Sequence, residues 1–360
     1  MEEARLAQLD PEGMLATVEH SSEQWAGALE IARAMPALGV GPGTVRAVVV
    51  AGMGGSGIVA DIASVAAHRY GRVPVVPAKG YDLPGWVGPD SLVVLVSYSG
   101  DTEETLACLD AAATAGAHRL VVTSGGQLAG RAAEEGIVTA RVPGGGQPRA
   151  NLPNLVVPVL VALERAGFLE GVEEQLAGVS RHLRPLVERW RHGRADGNDV
   201  TDLAESLHGL VPVFYGSVGW LAVAALRAKS QVNENAKRPA FWHELPELDH
   251  NEIVGWGALP EVCRRYGIVE LRSAADEHTQ VARRFTVTGE VVGDRVALWR
   301  SATFDGPTPL ARFAAAVLFV DLLSVHLAFL EQQDPTPVEA ISLLKRRLAE
   351  PPPGGDAPGP

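Results

Sequence analysis

Cysteine and basic charge are both scarce in this chain. Its 360 residues include two cysteines, Cys108 and Cys263, in apolar or helical surroundings. Two such residues provide neither a disulfide framework nor the spacing of a metal site, so we predict buried free thiols. The net charge of -12 argues against a nucleic-acid-binding surface, which needs a basic face. A small anionic ligand stays compatible, because one pocket can differ from the average charge.

Targeting and membrane segments are also missing from the pattern. The first ten residues carry acids and no apolar core, unlike a signal peptide. We expect no apolar run of membrane-spanning length. A cytoplasmic protein without a membrane or nucleic-acid partner is therefore predicted. Hydrophobic residues are abundant, at 46% of the chain, which is enough for two domains with substantial cores.

Apolar segments alternate with helical segments along most of the chain. Val45–Ala51 and Leu92–Val96 are apolar without alternation, as in strands buried on both faces of a parallel sheet. The alternation stops near Gly144 and restarts with a strand at Leu210, followed by a turn at Gly216-Ser217. These patterns predict an α/β protein with two doubly wound domains, parallel sheets and flanking helices. The predicted limits are 1–153 and 154–350, with a disordered Pro/Gly-rich tail at 351–360.

A glycine-rich segment, Gly52-Met53-Gly54-Gly55-Ser56-Gly57, follows the first strand, and we expect a helix from Ile58. It matches the G-x-G-x-x-G dinucleotide pattern, but no acid follows the second strand before Asp82. No Lys-Ser/Thr pair follows the glycines either, which disfavours a P-loop. The remaining interpretation is a turn facing the crevice at the carboxyl ends of the strands, where doubly wound sheets bind ligands.

A hydroxyl-rich segment, Ser97-Tyr98-Ser99-Gly100-Asp101-Thr102-Glu103-Glu104-Thr105, lies between the third strand and a helix. The first backbone N–H groups of a helix lack partners, and its dipole is positive there. Hydroxyl side chains at this point can therefore donate to phosphate oxygens. Helix capping by Asp101 or Thr102 is the alternative. The two loops, with no lysine expected nearby, suit a sugar phosphate held by neutral donors.

These loops, with three later motifs in the same order, resemble the bifunctional phosphoglucose/phosphomannose isomerases of the sugar isomerase (SIS) superfamily. The later motifs are Gln147-Pro148-Arg149, Asn233-Glu234-Asn235-Ala236-Lys237 and Pro246-Glu247-Leu248-Asp249-His250-Asn251-Glu252. The resemblance implies two SIS domains, no metal or cofactor, and a homodimer whose site is completed across the interface by His250. Asp101 and Asp249 depart from the family, which usually or often has Asn there, and Asp101 would add negative charge beside the phosphate.

The resemblance implies an isomerase that interconverts glucose 6-phosphate and mannose 6-phosphate with fructose 6-phosphate through a cis-enediolate. Its phosphate site would comprise Gly54, Gly55, Ser56, Ser97, Ser99 and Thr102. Such chemistry needs a base, a ring opener and a cation for the enediolate oxygens. The residues that match are Glu234 as base, His250, Arg149, Lys345 near the ring oxygen or C1 hydroxyl, and Thr336 near the mannose epimer.

Alternatives remain open at this point. Glu247 and Glu252 are nearer to His250 in sequence and are rival bases. A regulatory SIS protein would bind a sugar phosphate with little turnover, and an isomerase of a related phosphosugar would use similar loops. Because a binding protein has no need of Glu234, Arg149 and His250 together, the enzyme is favoured.

Overall fold

The computed structural model describes residues 3–194 and 197–350, so the predicted disordered tail lies outside the described residues. The first half of the chain forms a five-stranded parallel sheet flanked by helices. Its elements are α1 (Glu3–Leu9), α2 (Met14–Glu19), α3 (Ser21–Ala34), β1 (Ala47–Ala51), α4 (Gly54–Tyr70), β2 (Val75–Ala78), β3 (Ser91–Val96), α5 (Glu103–Thr114), β4 (His118–Thr123), α6 (Gly126–Glu134), β5 (Val138–Arg141) and α7 (Leu152–Arg165).

The strand order of this sheet, β2-β1-β3-β4-β5, determines where the loops lie. The connection order reverses between β1 and β3, which pair in parallel with Ala51 opposite Leu95. Ligands of open α/β sheets bind at such a switch point, outside the carboxyl ends of the strands. The glycine-rich and hydroxyl-rich segments leave these two neighbouring strands, so the topology places them side by side.

The second half forms a four-stranded parallel sheet with the order β7-β6-β8-β9. Its elements are α8 (Val172–Trp190), α9 (Asp199–Leu207), β6 (Val211–Ser217), α10 (Trp220–Asn235), β7 (Phe241–Leu245), α11 (Glu252–Gly255), α12 (Pro260–Cys263), β8 (Tyr266–Arg272), α13 (Thr279–Val292), β9 (Leu298–Thr303), α14 (Pro309–Leu330) and α15 (Glu339–Ala349). This order repeats that of the first four strands of the first sheet. The predicted fold class, two parallel sheets flanked by helices, is confirmed.

The core is centred on α14, which is buried from Leu310 to Phe329. This helix is long and apolar enough to cross a membrane, so the expectation that no segment reaches that length is wrong. Its most apolar window is 94% buried inside the fold, against α8, α9 and α10. A helix that is hydrophobic all round is buried in this way when it forms the centre of a large core.

Several local predictions fail where backbone pairing overrides sequence pattern. Helix α4 begins at Gly54 and not at Ile58, because Ser56 N and Gly57 N already donate to Met53 O. The expected turn at Gly216-Ser217 is strand, because both residues pair with β7, which the sequence did not predict. Both cysteines are buried free thiols, as predicted. The domain limits stay a prediction; α7, which begins at Leu152, packs against α3 and α4 beside the first sheet.

Candidate active site

We call Ser56, Ser97, Ser99 and Thr102, which follow β1 and β3, the hydroxyl cluster. Ser99 is its exposed member, and its Oγ accepts from Asp101 N at 3.3 Å. Ser97 Oγ lies 2.8 Å from Thr102 Oγ1 and accepts from Gly100 N at 3.1 Å. Ser56 Oγ accepts from Tyr98 N at 3.1 Å, which joins the first turn of α4 to the hydroxyl-rich loop. Since this contact uses an acceptor site of Ser56, its hydroxyl hydrogen remains available to an anion.

Two helix N-termini converge on this cluster. In α4 the amides of Gly54 and Gly55 precede the first helical hydrogen bonds, which Ser56 and Gly57 donate to Met53 O. In α5 the first helical bond runs from Leu106 N to Thr102 O. Amides that have no partner within the described part of the chain and two positive dipole ends therefore face the same edge of the sheet, an arrangement that favours a phosphate.

Asp101 does not join this cluster through its carboxylate. Its Oδ1 accepts from Gln127 N at 3.0 Å, in the first turn of α6. The side chain thus caps the next helix, where a negative charge is favourable. Gly100 makes the tight loop possible: its φ is 77°, and a Cβ there would lie 1.8 Å from Gly125 O.

Arg149 is the buried cation of the site. It lies in a 3₁₀ turn, Pro148–Ala150, and is 3% exposed. Its Nε donates to Asn235 Oδ1 at 2.6 Å, and its Nη2 donates to Pro335 O and Thr336 O at 2.8 and 2.7 Å. The third nitrogen, Nη1, makes only longer contacts, to Gln147 Oε1 at 3.3 Å and Glu234 Oε2 at 3.5 Å. Burial lowers the pKa of Arg149, and the charge of Glu234 opposes that shift.

The backbone of Arg149 is also held. Arg227 Nη2 donates to its carbonyl at 2.6 Å, and Arg227 forms an ion pair with Asp321 of α14. Gly55 packs directly behind it, since a Cβ at that position would lie 3.1 Å from Arg149 N. The guanidinium is therefore fixed between the first turn of α4 and the core, and its Nη1 is directed toward Gln147 and Glu234.

Glu234 lies in the last turn of α10. Its side chain is 26% exposed and faces Arg149 Nη1. Its neighbour Asn235 is fully buried and donates to Ser324 Oγ of α14 at 2.8 Å. Asn235 also accepts from Arg149 Nε. The packing of the Asn235 side-chain amide therefore orients both Arg149, to which it is bonded, and Glu234, which precedes it in the chain.

Glu234 and Arg149 share a cleft of about 170 Å³ with the first turn of α4. Gly54 and Gly55 line its other side, and Lys79 and Asp61 form an ion pair at its rim. Lys79 follows β2, the strand beside β1, and its Cδ lies 3.9 Å from where a Cβ on Gly57 would be. The expectation of no lysine near the loops is therefore wrong, because parallel pairing brings the end of β2 to the same edge.

Comparison with known proteins shows the family of the chain. A family model described as the bacterial phospho-glucose isomerase C-terminal SIS domain matches residues 196–348. The chain is 33% identical to the bifunctional phosphoglucose/phosphomannose isomerase of Caldicellulosiruptor bescii, over 94% of this chain and 99% of that protein. It is 36% identical to the Aquifex aeolicus protein of the same name, over 84% and 90% of the two chains. The chain belongs to the bifunctional phosphoglucose/phosphomannose isomerase family.

A solved structure supports the fold of this family member. The C-terminal domain of glucosamine-fructose-6-phosphate aminotransferase from Francisella tularensis matches with a TM-score of 0.68 at 15% identity. The match covers 90% of this chain and 98% of that one. At this identity the likeness concerns the architecture alone.

The fold of the isomerase-family chain brings some expected residues together and leaves others apart. Arg149 contacts both Glu234 and Thr336, and Thr336 is 2% exposed with a hydroxyl that has no hydrogen-bond partner within residues 3–194 and 197–350. His250 is exposed on a 3₁₀ turn, Glu247–His250, and no described hydrogen bond connects it to Glu234 or Arg149. Lys345 is exposed on α15.

The rival bases belong to other local structures. Glu252 contacts Tyr215 Oη, beneath the second sheet, and Glu247 Oε1 accepts from Asn251 Nδ2 at 2.9 Å. Neither lies in the cleft that Arg149 and Glu234 share. Lys237 lies in the same motif as Glu234. The three N–H groups of its ammonium lie within hydrogen-bonding distance of four backbone carbonyl oxygens around Glu234, and burial lowers the pKa of Lys237 to about 8.

Proposed function

We propose that this protein interconverts glucose 6-phosphate and mannose 6-phosphate with fructose 6-phosphate through a cis-enediolate. The observation that carries the proposal is the Arg149–Glu234 pair, a buried cation 3.5 Å from a partly exposed carboxylate. This pair opens into the cleft that the α4 N-terminus lines. Aldose–ketose isomerisation needs a base and an anion stabiliser near a fixed phosphate.

The phosphate would bind at the hydroxyl cluster. The hydroxyls of Ser56, Ser97, Ser99 and Thr102, with the free amides of Gly54 and Gly55, offer neutral donors at two positive helix ends. Lys79 adds a charge at the rim of the same cleft. Held in this way, the sugar chain extends toward Glu234 and not away from the sheet edge.

Proton transfer would be the task of Glu234. A carboxylate can take the proton from C2 and return it to C1 on one face of the planar enediolate. Arg149 would hold the enediolate oxygens with Nη1, since Nε and Nη2 are already used by Asn235, Pro335 and Thr336. This stabilisation is pre-organised, because the guanidinium has no freedom to reorient.

Ring opening would require a second copy of the chain. His250 is exposed and shares no described hydrogen bond with Glu234, and large apolar side chains near it in the chain are also exposed, Val254 at 77% and Leu259 at 69%. Helix α15 exposes a second apolar stripe, formed by Ile341, Leu344 and Leu348. We propose a homodimer in which these surfaces are covered and His250 of one copy completes the site of the other.

Two further residues would contact the sugar. The hydroxyl of Thr336 has no described hydrogen-bond partner, and the carbonyl of the same residue accepts from Arg149. We therefore propose that this hydroxyl bonds to a hydroxyl of the mannose epimer. Lys345 would act from α15 at the ring oxygen or C1 hydroxyl once the dimer has formed. Both assignments follow the family resemblance, and that of Lys345 also depends on the dimer.

A coupled assay of purified protein with each hexose 6-phosphate tests the function. Turnover of both epimers to fructose 6-phosphate is expected, with deuterium from D₂O appearing at the transferred position, because a carboxylate exchanges its proton with solvent. Binding without turnover would make the protein a regulatory SIS protein. Turnover of another phosphosugar alone would change the proposed substrate but not the proposed mechanism.

A further inference from the structure

Lys237 has a backbone conformation that a lysine rarely adopts. It follows Ala236, the residue that ends α10, and its φ is 55°. Helices commonly end with a residue of this left-handed conformation, which is usually Gly or sometimes Asn. A long charged side chain at this position therefore needs a reason beyond ending the helix.

The ammonium group of Lys237 is surrounded by carbonyl oxygens from two segments. Nζ donates to Glu234 O at 2.9 Å and Asn235 O at 3.1 Å, in the last turn of α10. Asp334 O at 2.7 Å and Pro335 O at 3.0 Å, in the loop after α14, are also within hydrogen-bonding distance, so the three N–H groups are shared among four oxygens. The last carbonyls of a helix lack intrahelical partners and carry the negative end of the dipole, so a cation satisfies them.

This arrangement joins the carboxylate residue to the segment that Arg149 grips. Pro335 O accepts from both Lys237 Nζ and Arg149 Nη2, and Arg149 Nη2 also holds Thr336 O. Two cations thus hold the 334–336 loop from opposite ends, one of them bonded to the backbone of Glu234 itself. The positions of Glu234, Arg149 and Thr336 are coupled through one ammonium group.

We infer that Lys237 is a positioning residue, which sets the carboxylate of Glu234 against Arg149 by clamping the end of α10 to the 334–336 loop. The inference rests on the proposed function, in which Glu234 is the base. Lys237 donates to backbone oxygens and touches no substrate in this role. A displacement of the base by a fraction of an ångström slows proton transfer, while the hydroxyl cluster, which none of the described hydrogen bonds of Lys237 reaches, still binds the phosphate.

The substitution Lys237→Gly tests the clamp, because glycine accepts the left-handed conformation and leaves the carbonyl oxygens without their cation, in a space that a free ammonium ion can enter. We expect kcat to fall about 10- to 100-fold with KM changed less than about twofold. Added ammonium chloride should restore much of kcat, whereas tetramethylammonium chloride at the same ionic strength, which has no N–H donors, should not. Lys237→Asn, which also tolerates this backbone, provides a second folded variant.

Lys229→Gln is the matched control, since Lys229 lies on the same helix and forms no described hydrogen bond or ion pair; its kcat should equal that of the wild type. Unchanged kcat in folded Lys237→Gly or Lys237→Asn overturns the inference. So does a loss of kcat that ammonium leaves unchanged, because the group would then act otherwise than as a clamp. A wild-type protein inactive on every hexose 6-phosphate would instead overturn the proposed function.

Discussion

Arg149 Nη1 lies 3.5 Å from Glu234 Oε2, yet the two side chains differ sharply in freedom. The guanidinium is 3% exposed and holds three other groups at 2.6 to 2.8 Å, whereas the carboxylate is 26% exposed. The cation is therefore a fixed point, and the carboxylate is the partner that can move toward a substrate. An acid–base role belongs to the mobile partner and an electrostatic role to the fixed one.

Glu234→Gln should remove turnover while the fold and substrate binding persist. The amide keeps the size and hydrogen bonding of the carboxylate but has no basic lone pair. General base catalysis contributes about 10²–10⁴-fold, so we expect kcat to fall by at least the lower figure with little change in KM. Glu252→Gln is the comparison, because Glu252 contacts Tyr215 outside the cleft. Near-normal turnover in Glu234→Gln would transfer the base to another residue.

Thr102→Val and Ser97→Ala should weaken binding of the phosphate more than they slow chemistry. Each variant removes one hydroxyl of the pair that lies 2.8 Å apart. A hydrogen bond to a charged group is worth roughly 1.5–3 kcal/mol, so KM and the inhibition constant of inorganic phosphate should rise about 10- to 100-fold. Ser206→Ala on α9, an exposed serine bonded to Asp202 O, should leave both constants unchanged. Equal effects in all three variants would count against a phosphate site here.

A mixture of two inactive variants tests the proposed shared site. Glu234→Gln and His250→Ala should each be inactive as homodimers. In a mixed dimer, one site combines the intact Glu234 of one chain with the intact His250 of the other. Random exchange at equal amounts should therefore restore about a quarter of wild-type activity. If both residues served the same chain's site, mixing would restore nothing.

Acid should destabilise the fold through His326 of α14. Burial, with a smaller contribution from His192, lowers the pKa of His326 to about 3, and its Nδ1 lies 3.4 Å from His192 Nδ1. An unfolded histidine titrates near 6.5, so between pH 6.5 and about 3 the unfolded chain binds one proton more than the native state. The free energy of unfolding should fall as the pH falls, by about 1.4 kcal/mol per pH unit from this group.

Urea unfolding at pH 7 and pH 5 measures the effect. Replacing His326 with Leu should reduce the loss of stability between these pH values by about 2 kcal/mol relative to the wild type. His118→Gln, at an exposed position on β4, should leave the loss as it is. An identical pH dependence in wild type and His326→Leu would show that the buried ring does not control acid stability.

The sequence by itself determined the architecture of this protein and the position of its two strand-to-helix loops. A short apolar run such as Leu92–Val96 is typical of a strand covered on both faces, and glycines and hydroxyls after it mark a strand-to-helix turn. The order of the motifs predicted the family, because each motif places its functional residues within a few consecutive positions and can be recognised without the structure. Local patterns of this kind are independent of how distant segments pack.

Only the tertiary structure decided what surrounds the chemical groups. Arg149 and Glu234 are 85 positions apart, and Lys79 reaches the cleft because β2 pairs with β1. The strand at Phe241–Leu245 and the strand state of Gly216 and Ser217 depend on each other, since neither has a pattern that predicts it alone. The burial of Arg149 also depends on tertiary packing. Because the buried guanidinium needs hydrogen-bond acceptors, it is bonded to Asn235 and to the carbonyls of Pro335 and Thr336, and the spacing of these residues along the chain does not predict those bonds.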